Sequence, residues 1–152
     1  MNLVINEWFP VYLRPTAEEN ELELLFDFLS KIQNESSVLY VRRPSPFLNK
    51  IYQLSKQYNS DPIGRRKINH VIKLILRDSK RCKFIDDDEV TLNQTVRDKL
   101  NSDGNYISDE YLFEAASCTE EKIIITTDQK LIDFMNGYDG YTLMTPSEFN
   151  NN

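Results

Sequence analysis

The chain has 152 residues, 40% hydrophobic and 28% charged, with a formal net charge of −6. That balance, with only 4 Gly and 6 Pro, suits one domain with a real core and excludes a loop-rich or disordered chain. No apolar run approaches the roughly 20 residues needed to span a bilayer, and the opening MNLVINEWFP carries Glu7 and no basic leader, so a cytoplasmic protein without a signal peptide or membrane contact is expected.

Residues 3–5 (Leu-Val-Ile) predict a short buried strand that ends at the polar tip Asn6-Glu7. Thr16 with Glu19 reads as a capping box, after which Leu22, Leu25, Phe26, Leu29 and Ile32 recur at helical spacing. A second strand is expected at 37–41. Pro44 and Pro46 break the chain ahead of another 3–4 spaced stripe, Phe47, Ile51, Leu54 and Tyr58. A long helix is predicted over 63–80, with Ile68, Val71, Ile72, Ile75 and Leu76 on one face. Residues 82–85 read as a strand and 91–100 as a helix. Ser108 is placed to cap the next helix, whose Leu112, Ala115 and Ala116 face inward. The run KIIITT over 122–127 is the clearest strand, β-branched as in a parallel sheet covered on both faces. Asp128 opens the helix DQKLIDFMN, closed by Gly137, and a last strand at 141–144 precedes a polar tail at 150–152. Strands alternating with helices predict an α/β domain over 1–149 with a mainly parallel central sheet between helical layers.

Several chemistries lack material. His70 is the one histidine and no Cys/His cluster exists, which leaves nothing for a structural zinc site. Cys82 and Cys118 have no CxxC spacing and read as reduced thiols. Neither GxGxxG nor a P-loop occurs. Carboxylates remain, and in open parallel sheets ligands bind beyond the carboxyl ends of the strands. Glu7, Asp109 and Asp128 are expected at or near such places. Carboxylates gathered in one cleft repel one another unless a cation joins them, and hard oxygen ligands suit Mg²⁺ or Mn²⁺. Taken singly, Asp109 and Asp128 read first as helix caps, Asp86-Asp87-Asp88-Glu89 as a solvated turn, and Trp8 and Phe9 as core plugs at a strand end; it is the combination of the two Asp positions that points to a site.

The segment SDEYLFEAASCTEEKIIITTDQKLIDFM resembles the C-terminal half of PIN domains, including the VapC-type ribonuclease toxins. The shared pattern is an Asp starting a helix that continues through small residues, a short turn, an apolar strand, then Thr-x-Asp and an aromatic. The resemblance spans the chain by element order but only some 35 residues by motif. It implies a three-layer PIN-like fold and a metal-dependent endoribonuclease, with Asp109 and Asp128 as two of the family's acids, Thr126 as the hydroxyl before the second and Phe134 as the aromatic. It also implies Mg²⁺ or Mn²⁺, RNA as substrate, a toxin or defence role with an antitoxin-like protein partner, and a homodimer. Two positions depart from the pattern. Asn6 stands where the family's first Asp is found, with Glu7 beside it as a substitute charge, and Asn49-Lys50 stand where a helical Glu is usual. These departures motivate an alternative, a catalytically degenerate PIN-fold module that binds RNA or a protein. A receiver-like signalling domain is a third reading, and Asn6-Glu7 fits it poorly.

Residues 65–83 hold eight of the 18 Lys and Arg. Arg66, His70, Lys73 and Arg77 share one face of the predicted helix, and Arg66, Lys73 and Arg77 are the expected contacts to an RNA backbone. A solvated face that balances the acidic remainder is the competing reading.

Overall fold

The computed structural model describes all 152 residues. Five strands form one sheet: β1 (Asn2–Ile5), β2 (Val38–Arg42), β3 (Cys82–Ile85), β4 (Ile123–Ile125) and β5 (Thr142–Met144). Their order is β3-β2-β1-β4-β5 and every pairing is parallel. Parallel strands need crossovers, which the helices supply. Between β1 and β2 lie α1 (Trp8–Tyr12) and α2 (Glu19–Asn34), and between β2 and β3 lie α3 (Pro46–Leu54) and α4 (Pro62–Leu76). α5 (Gln94–Ser102) and α6 (Glu110–Ala116) return the chain across the sheet to β4, and α7 (Gln129–Met135) leads to β5. Finally α8 (Pro146–Asn151) packs on α2. Crossovers that first run one way along the sheet and then the other bring helices to its faces, giving a three-layer α/β domain.

That reversal makes β1 the centre of the sheet and the β1/β4 seam its topological switch point. The seam is dry. Leu3, Val4 and Ile5 are buried, and the register Leu3↔Ile123, Val4↔Ile124, Ile5↔Ile125 sets the tip residues Asn6 and Thr126 beside each other. α6 lies over β2, β1 and β4, and its Ala115 and Ala116 are fully buried. Side chains no larger than a methyl let this helix approach the sheet closely.

Several local expectations shift. α2 begins at Glu19, so Glu18 takes the cap position and its N–H donates to Glu21 Oε1 at 2.9 Å. The Thr16–Glu19 box is not formed. Phe26 faces solvent at 54% exposure, and Phe28 takes the buried position on that turn. α4 stops at Leu76 rather than running to 80, because Asp78 turns the chain by accepting the Lys80 N–H at 3.0 Å. α5 starts at Gln94, not 91. Ser108 lies inside a single 3₁₀ turn, Ile107–Asp109, and does not cap α6. The terminal asparagines are not a free tail: Asn150 and Asn151 complete α8, and Asn150 Nδ2 donates to Leu24 O at 3.1 Å. Both cysteines are free thiols, and burial pushes Cys82 up to about 12. No helix is long and apolar enough to cross a membrane.

Candidate functional site

The site is built from the tips of β1 and β4 and from the start of α6. Past Ile5 the chain turns at once into α1, whose Trp8 and Phe9 plug the strand end, 3% and 0% exposed. Trp8 packs edge-on against Phe28, ring centroids 5.1 Å apart, and its Nε1 donates to Ile125 O at 2.9 Å. The indole therefore joins α1 to the end of β4 while its face stays in the core.

Asn6 is a tie between strands. Its Nδ2 donates to Thr126 Oγ1 at 2.5 Å and its Oδ1 accepts the Trp8 N–H at 3.2 Å. Thr126 is fully buried, and its Oγ1 also accepts the Asp128 N–H at 3.1 Å. This chain of bonds fixes the turn that presents Asp128. Asp128 Oδ1 in turn accepts the Leu131 N–H at 3.1 Å, so it caps α7 as a short polar side chain at a helix start does.

Asp109 behaves differently. It occupies the residue before α6 but makes no capping bond, and its carboxylate has neither a hydrogen bond nor a cation as partner. Burial pushes its pKa up to about 6, and the charges of Asp128 and then Glu7 push the same way. A carboxylate held out of water near like charges is the signature of converging acids. α6 is held in place by two arginines. Arg97 meets Glu110 at 2.9 Å and Glu114 at 3.8 Å, and Arg42, at the end of β2, reaches Glu114 at 3.5 Å and also pairs with Asp87.

The sequence-predicted residues therefore divide. Asp109, Asp128 and Glu7 share one electrostatic field at the switch point. Asn6 and Thr126 join them as scaffold, their polar atoms committed to each other and to the backbone. Glu7 is half-buried and paired with Lys50 of α3, Nζ to Oε1 3.3 Å, so its charge is partly neutralised. Phe134 stacks on Tyr106, centroids 4.7 Å apart and planes 17° from parallel. Tyr106 titrates high, first by burial, then by Asp103, Asp128 and Asp109, which puts this aromatic pair beside the acids. Arg66 and Lys73 on α4 and Arg77 just past its end are exposed, and none of them forms an ion pair. A cavity of about 560 Å³ lies elsewhere, between α3, α4 and β3, and no acidic side chain lines it. Its walls are mostly apolar, so its size does not mark it as the chemical centre.

No three His, Cys, Asp or Glu side chains come together as a group that could hold a metal ion, so Glu7, Asp109 and Asp128 do not form the expected three-carboxylate set. Two open carboxylates suit Mg²⁺ or Mn²⁺ better than a caged ion, because Mg²⁺ keeps several waters and is commonly held by one or two carboxylates plus substrate phosphate. Asp109 has no hydrogen-bond or cation partner, and Asp128 has a second carboxylate oxygen without a hydrogen bond.

Two residues at the site were not picked out as members of it from sequence. Tyr111 is one, and its signal is its being the only polar side chain among the inward-facing residues of YLFEAA. Lys50 is the other, noted only as a departure. No family model, curated protein or solved structure matches this chain.

Proposed function

We propose that the chain is a metal-dependent endoribonuclease of PIN type. The observation that carries this reading is the unpartnered Asp109 carboxylate, raised by its burial and by Asp128 and Glu7 at the switch point of a parallel sheet. The strand order, with the first strand central and the fourth beside it, supports the resemblance carried by the Thr126-x-Asp128 segment. A bound Mg²⁺ or Mn²⁺ supplies an activated water and neutralises charge developing on a phosphodiester. Asp109 and Asp128 would hold it. Thr126 keeps Asp128 in place through the Asp128 N–H, and Asn6 keeps Thr126 in place. Arg66, Lys73 and Arg77 would bind the RNA backbone, a contact that needs no base recognition. A toxin or defence role restrained by a protein partner belongs to the same reading.

The alternative, a non-catalytic PIN-fold module that binds RNA or protein, is favoured by one feature. Lys50 places a cation on Glu7, where a metal-binding site would keep its acid free. Incubating single-stranded RNA with the protein and Mn²⁺, beside an Asp128→Asn control, separates them. Cleavage that needs Mn²⁺ and disappears in the variant is the expected result. Cleavage absent from the wild type, or unchanged in the variant, leaves the binding module.

A further inference from the structure

The cavity of about 560 Å³ between α3, α4 and the edge strand β3 reaches into the core. Leu48, Ile51, Leu76 and Cys82 line it, and each is at most 6% exposed. Folded interiors are close-packed and hold few voids larger than a water molecule. Volumes of roughly 300–1,000 Å³ with mostly apolar walls and a few polar groups are those of small-molecule sites. The polar groups here are unevenly charged, for two arginines line the cavity and no carboxylate does. Arg43, just past β2, is already answered: its Nε and Nη2 donate to the two Asp86 oxygens at 2.8 Å each, and its guanidinium carbon lies 4.9 Å from the Phe84 ring centroid. Arg77, just past α4, has no carboxylate partner. Its neighbour Asp78 accepts the Cys82 N–H on its carbonyl at 2.9 Å, so the Arg77 backbone stands where β3 begins, and Arg43 and Phe84 mark the other end.

We infer that this cavity binds a small apolar monocarboxylate, with its acid group on Arg77 and its apolar body along β3 towards Phe84 and Tyr52. A planar guanidinium takes a carboxylate through two parallel bonds. The apolar body displaces water from Leu48, Ile51, Ile72 and Leu76, which is the favourable term. Tyr52, 65% exposed at the rim, adds an aromatic surface to the far end. One cation without a counter-ion in an otherwise apolar lining selects one negative charge. A metal ion has no carboxylate to meet there, and an uncharged molecule leaves Arg77 unused. None of Glu7, Asp109 and Asp128 lines the cavity, so the inference is independent of the nuclease reading.

Calorimetric titration of the full-length protein with octanoate and with naphthoate, each beside its uncharged primary amide, tests the assignment. At least one acid should bind one-to-one and raise the melting temperature, and its amide should bind about tenfold more weakly, as for loss of a charged hydrogen bond. The tighter of the two acids tells whether the body is aliphatic or aromatic. Arg77→Gln should weaken the acid about tenfold and leave the amide as it was. Tyr52→Ala should weaken acid and amide alike, since it removes only apolar contact. Lys67→Gln, which removes a cation of α4 outside the cavity, should change neither. All three positions are exposed, so the variants keep the core intact. An acid that binds Arg77→Gln as tightly as wild type overturns the inference, as does a wild type that binds neither acid at millimolar concentration. Such a failure in a protein that sediments as a dimer, and that Tyr52→Ala turns into a monomer, would give the cavity to a second copy of the chain instead.

Discussion

Asp109 and Asp128 each stand immediately before a helix, yet only Asp128 serves as a cap: its Oδ1 accepts the Leu131 N–H at 3.1 Å, while Asp109 accepts nothing. Two positions that look alike in sequence thus carry different loads. Asp128 has a structural duty and a free second oxygen. Asp109 has no structural duty that offsets the cost of its burial.

The first consequence concerns substitution of Asp128. Asp128→Asn keeps a capping oxygen, so stability should change by only a few tenths of a kcal/mol, whereas Asp128→Ala should lose about 1 kcal/mol. Both should weaken Mn²⁺ binding by more than the roughly 10–100-fold that loss of an outer-shell partner costs. Urea denaturation and manganese titration of the two variants separate cap from ligand. Equal stability losses would show that the cap is not what Asp128 contributes.

Asp109 makes the pH dependence run opposite to that of a paired acid. Its folded pKa of about 6 lies above the ordinary 3.8, so the folded protein holds a proton the unfolded chain has released. Between these values stability must fall as pH rises, and above about 6 the full penalty is present. Discounted for the partial exposure of the carboxylate, that penalty is roughly 1–2 kcal/mol. Asp109→Asn should therefore be more stable than wild type by that amount at pH 7.5, with the difference vanishing near pH 4. Manganese binding by the wild type should strengthen as pH rises towards the same value, because the ion must displace the proton. A variant no more stable than wild type at pH 7.5 would contradict this account.

Asn6→Asp adds a carboxylate to the β1 tip. The bond to Thr126 must then reverse, with the hydroxyl donating, and the new charge faces Asp109 and Asp128. Loss of about 1–2 kcal/mol without metal is expected. Mn²⁺ should restore much of it and bind more tightly than to wild type, which melting curves with and without MnCl₂ will read. A destabilisation that Mn²⁺ leaves untouched would argue that Asn6 is scaffold only.

Arg66, Lys73 and Arg77 are unpaired, so neutralising them costs no ion pair. Each Gln substitution should lower RNA affinity about equally for all sequences and reduce the slope of log affinity against log salt by about 0.7–1. Filter binding over a range of NaCl concentrations is sufficient. Unchanged slopes would mark α4 as a solvated face.

Much of the fold is legible in the chain itself, for local reasons. The runs that became β1, β3 and β4 are short, apolar and bounded by polar tips, and the stripe Phe47, Ile51, Leu54 and Tyr58, along α3 and the 3₁₀ turn after it, is buried as its spacing requires. Boundaries were less legible where a side chain decides them. Glu18 and Glu21 compete with Thr16 and Glu19 for the same cap, and Asp78 turns the chain before a helix that periodicity alone would continue. That Asp109 would feel the charge of Asp128 could be expected from the rule for parallel sheets. That Asn6 would be tied to Thr126, and Glu7 to Lys50, could not, since each bond spans elements whose mutual rotation no single segment encodes. Tyr111 was hidden because a tyrosine inside an apolar stripe reads as core.

β1 is threaded between β2 and β4, and its tip is bonded to a residue 120 positions later in the chain. Closing so long a loop is among the slower events of folding. A ribosome-bound chain that has not yet exposed residue 128 owns Glu7 and Asp109 but no seam to bring them against Asp128. Any chemistry of this site must therefore wait until β4 and the turn after it have been made, and a fragment truncated ahead of β4 should be inert even where its remaining helices form.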